Sequence, residues 1–131
     1  MKSSLVLADS CVWIELFADG PNAASYASLL DGGVLVPPIV AAEVRRWFLR
    51  ERGESDAARV CAALMSGIPV EATAAVGFLA ADLGVVHQLA MADAFVLAHA
   101  HAASAELVTQ DAHFLGLPGV RYVQRDGLPA T

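Results

Sequence analysis

Three short apolar runs constrain this chain more than any other feature: Leu5-Val6-Leu7-Ala8, Val34-Leu35-Val36, and Leu107-Val108 within Glu106–Thr109. Each is too short for a helix, and each stops at turn-forming residues: Asp9-Ser10, Pro37-Pro38 and Gln110-Asp111. Continuous rather than alternating apolar character marks strands buried on both faces. The stretches between them read as helices. Ser10 caps a short one carrying Val12, Trp13, Leu16 and Phe17, and a second runs from Asn22 to Leu30. A third spans Pro38 to Glu51 with Val40, Val44, Trp47 and Phe48 on one face. Ser55 or Asp56 caps a fourth reaching Met65, Ala72–Leu83 forms a fifth stopped by Gly84, and Met91–Ala103 a sixth. Ile68-Pro69-Val70 and Val120–Val123 are two further strands. Strands alternating with helices imply βαβ units and a mostly parallel sheet covered on both faces, with ligands bound beyond the carboxyl ends of the strands.

Size and composition narrow the class. A length of 131 residues suits one domain over 1–131, and 56% apolar against 17% charged residues excludes a disordered chain. The longest stretch without charge, Ala94 to Ala105, falls short of the ~20 residues of a spanning helix. One lysine and four apolar residues before Asp9 make no secretory leader, so a cytoplasmic location is expected. A net charge of −6 argues against non-specific coating of nucleic acid. The cations are nevertheless clustered: Arg45, Arg46, Arg50, Arg52 and Arg59 lie close together in the sequence. Cys11 and Cys61 lack metal-ligand spacing and read as small buried residues.

Asp9 follows the first strand directly, and Asp111 follows Glu106–Thr109 after a single residue. If these strands are neighbours, the two carboxylates meet at one edge, where like charges require a cation between them. Glu43 and Asp93 occupy the first turns of their helices. The helix of Glu43 begins just after the second strand, which puts that acid at the same edge as Asp9; Asp93 is placed alike. Each acid read alone has a plainer role: a cap or turn for Asp9, Asp93 and Asp111, and a pair with Arg46 for Glu43. Read together, these oxygen donors suit Mg²⁺ or Mn²⁺.

Asp9-Ser10, Ala42-Glu43-Val44, Ala92-Asp93-Ala94-Phe95-Val96-Leu97-Ala98 and Val108-Thr109-Gln110-Asp111-Ala112-His113-Phe114 occur in the order found in PIN-domain ribonucleases. The chain most resembles the VapC toxins of toxin–antitoxin modules, from about Leu5 to Val123 and including Leu117-Pro118-Gly119-Val120-Arg121. The resemblance implies a three-layer α/β/α fold with sheet order 3-2-1-4-5. It makes Asp9, Glu43, Asp93 and Asp111 the metal-binding acids, supported by Ser10 and Thr109. It further implies Mg²⁺ or Mn²⁺ as cofactor, RNA as substrate, an antitoxin protein as partner, and a homodimer. A processing nuclease of the same fold, or a non-catalytic binding module, would share these residues.

Other constellations fail on the residues present. A haloacid-dehalogenase phosphatase needs an acid two residues after its nucleophile, where Cys11 stands, and a response-regulator receiver needs a late lysine, whereas Lys2 is the one lysine. His99 and His101 diverge on their helix and His113 is remote in sequence, so the four histidines read as surface or packing residues. No phosphate-cradling glycine motif is present. Arg45, Arg46 and Arg50 are either a solvated face or a phosphate-contacting rim. A partner groove is expected to be lined in part by Trp13, Phe17, Trp47 and Phe48.

Overall fold

The computed structural model describes residues 5–125. Its five strands are β1 (Val6–Ala8), β2 (Val34–Val36), β3 (Ile68–Pro69), β4 (Glu106–Thr109) and β5 (Val120–Tyr122). They form one parallel sheet in the order β3-β2-β1-β4-β5. The helices are α1 (Ser10–Phe17), α2 (Ala23–Tyr26), α3 (Pro38–Glu51), α4 (Glu54–Met65), α5 (Ala74–His87) and α6 (Met91–Ala102). The three-layer α/β/α arrangement and the sheet order are those expected.

The chain begins at the centre of the sheet, steps outward through β2 and β3, and returns to the other side of β1 with β4. The direction of winding therefore reverses between β1 and β4, and a crevice opens at their carboxyl ends. Register is tight there: Ala8 pairs with Val108, and the Asp9 amide donates to the Val108 carbonyl at 3.0 Å. Leu7, Leu107, Val108, Leu97 and Phe114 are buried around this pair of strands, with Val40, Val44 and Phe48 of α3 in the same core. Burying such side chains stabilises the fold by about 1.5–3 kcal/mol each, so the strand ends are held on a stiff platform.

Several boundaries differ from the sequence reading. The span Asn22–Leu30 is one α-turn that tightens into a 3₁₀ turn, Ala27–Asp31. Helix α4 starts at Glu54 behind Gly53, whose φ of 99° reverses the chain, so neither Ser55 nor Asp56 caps it. Helix α5 starts at Ala74 and passes through Gly84 to His87. Gly84 does not end the helix; it lets α5 approach α6, where a Cβ would lie 3.4 Å from that of Ala94. The helix stops instead at Gln88, in the left-handed region with φ 56°. At its other end the Thr73 hydroxyl accepts from the Val76 amide at 3.2 Å. Thr73→Ala is expected to cost about 1 kcal/mol, read as a lower denaturation midpoint at unchanged slope.

The aromatic residues expected to line a groove are largely core. Trp13 and Phe48 are fully buried, Phe17 stacks on Trp13, and Trp47 meets Phe48 edge-on. The half-buried rings of Phe17 and Trp47 are covered by Arg59 and Arg52. The apolar groove lies elsewhere, between α3 and α4, where Ala41, Ala42, Leu49, Leu64 and Met65 line a cavity of about 660 Å³. No single helix among the described residues is long and apolar enough to cross a membrane.

Candidate metal centre

Asp9 lies where β1 hands over to α1, and its side chain is used twice in folding. One carboxylate oxygen caps α1 by accepting from the Ser10 amide at 2.8 Å; the other accepts from the Thr109 hydroxyl, also at 2.8 Å. The Thr109 oxygen in turn accepts from the Asp111 amide at 3.0 Å. A threonine at the end of β4 thus links two acids that are 102 positions apart, fixing Asp9 and orienting the turn that carries Asp111. Cys11 adds to the same knot, its sulfur 3.5 Å from both Asp9 Oδ2 and Thr109 Oγ1. Burial, followed by the charge of Asp9, pushes the Cys11 thiol up to about 12, so it stays protonated and unreactive.

Glu43 and Asp93, both half-buried, complete the group from the second turn of α3 and the first turn of α6. Burial raises the carboxyls of Asp9, Glu43 and Asp93 above their ordinary range, and the other acids raise them further. Glu43 senses Asp9, Asp93 and Asp111, while Asp93 senses Asp111 and Asp9. These mutual effects place all four expected acids in one electrostatic cluster. Ser10 sits beside Glu43, where its hydroxyl partly offsets the rise.

His113 is exposed, as its surface reading has it, yet its ring also reaches the cluster, which that reading did not foresee. Its Nδ1 lies 3.1 Å from Asp111 Oδ1 and 3.6 Å from Asp93 Oδ2. Its imidazole nitrogen lies within ion-pair distance of both carboxylates. The sequence signal was its place two residues after Asp111, where a short 3₁₀ turn (Ala112–Phe114) points it back; the His113 amide donates to Asp111 Oδ1 at 2.9 Å. The other histidines behave differently. His99 is buried in packing and His101 approaches the Pro118 carbonyl at 3.0 Å.

A buried polar network missed in the sequence stands behind the site. Glu15, 4% exposed, accepts from the Asn22 amide at 2.6 Å and from Gln110 Nε2 at 3.3 Å. Gln110 also accepts from Tyr26 Oη at 2.9 Å. Gln110 is thereby pinned between Thr109 and Asp111, which limits how far the acid turn can move. An apolar helix face gives no hint that one acid in it is buried.

Among the described residues no ion pair joins Arg46 to Glu43, the local pairing expected for that acid. Arg45 pairs with Glu54 at 3.2 Å, and Arg45, Arg46 and Arg50 line the α3–α4 groove. Arg46 and Arg50 follow Glu43 at three and seven residues, hence on its side of the helix.

The donor set fits a hard divalent cation. Asp93, Asp111 and His113 can each offer a ligand atom within 4.8 Å of the others. Burial, and after it the charge of neighbouring acids, raises the carboxyls of Asp9, Glu43 and Asp93, a penalty that a bound cation would relieve. Carboxylate oxygens are thus gathered at the switch point of a parallel sheet, where α/β proteins bind their ligands.

Known proteins narrow that class. The PIN domain model matches residues 6–119. The chain belongs to the PIN domain family. Among solved structures, a toxin–antitoxin complex from Klebsiella pneumoniae is similar at 23% identity and TM-score 0.79, over 88% of this chain and 95% of that one. VapBC2 from Rickettsia felis, bound to a promoter DNA fragment, is similar at 16% identity and TM-score 0.73, over 91% and 97%. VapC20 of Mycobacterium tuberculosis, a sarcin-ricin loop cleaving toxin, is similar at 17% identity and TM-score 0.68, over 80% and 87%. No curated protein matches the chain. The resemblance to VapC toxins seen in the sequence therefore holds for the fold.

Proposed function

We propose that this protein is a single-domain, Mg²⁺- or Mn²⁺-dependent endoribonuclease acting as the toxin of a toxin–antitoxin pair. The observation that carries this reading is the gathering of Asp9, Glu43, Asp93 and Asp111 at the switch point, with Thr109 bridging Asp9 to the Asp111 turn and His113 beside Asp93 and Asp111. Membership of the PIN family and likeness to VapC structures support it.

In this reading the four acids would hold the ion, which would supply Lewis acidity to the phosphodiester and to attacking water. Thr109 and the Ser10 amide keep Asp9 rigid, so no carboxylate must reorganise when substrate arrives. In-line attack by water at phosphorus breaks the P–O3′ bond and leaves 5′-phosphate and 3′-hydroxyl ends. Arg46 and Arg50, on the Glu43 side of α3, and Arg45 beside them form the rim that meets RNA phosphates, so an acidic protein can hold RNA.

The α3–α4 groove suits an amphipathic helix of the antitoxin. Exposed Phe78, Val85, Val86 and Met91 on α5 and α6 suit a second copy. Induction in a cytoplasm lacking antitoxin is the test. Wild type arrests growth and generates new RNA 5′-phosphate ends, whereas Asp9→Asn does neither. Growth unaffected by wild type, with RNA still cut in vitro, would mean a processing nuclease. Products ending in 2′,3′-cyclic phosphate, or full activity in EDTA, would overturn the mechanism.

A further inference from the structure

A second concavity adjoins the acids. Between the α5–α6 turn and the loop after β4 lies a pocket of about 430 Å³, lined by His87, Gln88, Leu89, Ala90, Asp93 and His113. Asp93 and His113 belong to the carboxylate cluster; the other four residues have no part in it. Whatever the cluster holds therefore has an immediate neighbour here.

We propose that this pocket receives one unstacked RNA base next to the phosphate held at the acids, and that Gln88 reads its edge. The proposal rests on the nuclease reading and names the specificity element of that site. Size is the first argument. The volume is at the lower end of the ~300–1,000 Å³ usual for small-ligand sites, which admits a nucleoside and excludes a duplex. Chemistry is the second. RNA sequence is read on splayed bases, by stacking on flat side chains and by hydrogen bonds to base edges. Two imidazoles supply flat surfaces, Leu89 and Ala90 supply apolar wall, and the Gln88 amide supplies both donor and acceptor. That amide makes no hydrogen bond to another of the described residues.

The backbone supplies the third argument. Gln88 ends α5 with φ 56°, a left-handed conformation unfavourable for a residue with a Cβ and ordinarily filled by glycine or asparagine. Both its amide and that of Leu89 donate to the Gly84 carbonyl, and Leu89 packs into the α5–α6 core. The reading side chain thus projects from a fixed turn rather than a loose loop, which is what discrimination between bases requires.

Gln88→Gly tests this, because it removes the amide and relieves the backbone, so the fold is retained and checked by thermal melting. The 5′ ends of RNA cut by wild type and by Gln88→Gly are mapped side by side. Wild type is expected to favour one base at a single position beside the cut, and the variant to lose that preference at least about ten-fold, the scale of a lost base-edge contact. The absence of any such preference in wild type, or its persistence in the variant, would overturn the proposal while leaving the nuclease reading intact. Nucleoside 5′-monophosphates titrated into wild type with Mg²⁺ give a readout free of cleavage. The ring protons of His87 and His113 should shift, most for one base, and the ranking should vanish in Gln88→Gly. If the rings respond in this way but wild type cuts no RNA, the pocket stands and the nuclease reading falls. Rings that do not respond to any nucleotide overturn the pocket.

Discussion

Asp9→Asn should lower RNA cleavage on the order of a thousand-fold or more, since removing one ligand charge forfeits several kcal/mol of transition-state stabilisation. The fold should survive. Asparagine keeps an oxygen to accept from the Ser10 amide, and the Thr109 hydroxyl can turn to accept from the new amide group. Initial rates on a labelled RNA, with circular dichroism and melting on the same samples, separate chemistry from folding. Asp93→Asn and Asp111→Asn should behave alike. Wild-type rates from any of these three folded variants would remove the acids from the mechanism.

The second large effect concerns stability without metal. Asp9, Glu43 and Asp93 bind protons more tightly in the folded chain than their ordinary 3.8 for Asp and 4.5 for Glu. Between those ordinary values and the raised ones the folded state carries more protons than the unfolded state. Their contribution to stability is therefore complete below the ordinary values and is lost as pH rises through the raised ones. Metal-free protein in EDTA should accordingly lose stability as pH rises above the ordinary carboxylate values and through the raised ones. There Mg²⁺ or Mn²⁺ should restore it, by about 2.7 kcal/mol at a hundred-fold excess over Kd. Asp93→Asn should raise the metal-free Tm by about 3–5 °C, the effect of roughly 1 kcal/mol of relieved repulsion in a domain of this size, and blunt the response to metal. Melting curves across pH, with and without the ion, check all three. A Tm that ignores both pH and metal would mean that the acids do not repel one another.

Much of this was legible in the residues because it is local. Leu5–Ala8 and the Leu107-Val108 pair within Glu106–Thr109 declare themselves as strands by apolar character, and an acid at or just after the end of each strand is a matter of counting. Glu43 and Asp93 could be assigned to the N-terminal halves of their helices for the same reason. Helix ends were harder. Gly84 and Gln88 show why: a glycine can end a helix or let two helices touch, and the neighbour, Ala94, decides which.

What the sequence by itself determined is therefore the alternation of strands and helices and the placing of four acids at element ends. The tertiary structure alone decided which residues share a site. Pairing Ala8 with Val108 brings Thr109 onto Asp9, and the turn after β4 swings His113 onto Asp93 and Asp111. It also buried Trp13 and Phe48, tucked Glu15 behind Gln110, and opened the apolar groove between α3 and α4 instead. The reason is physical. Periodicity reports which face of an element is apolar, whereas proximity between residues a hundred positions apart depends on strand order and register, which are settled only when the whole core packs at once.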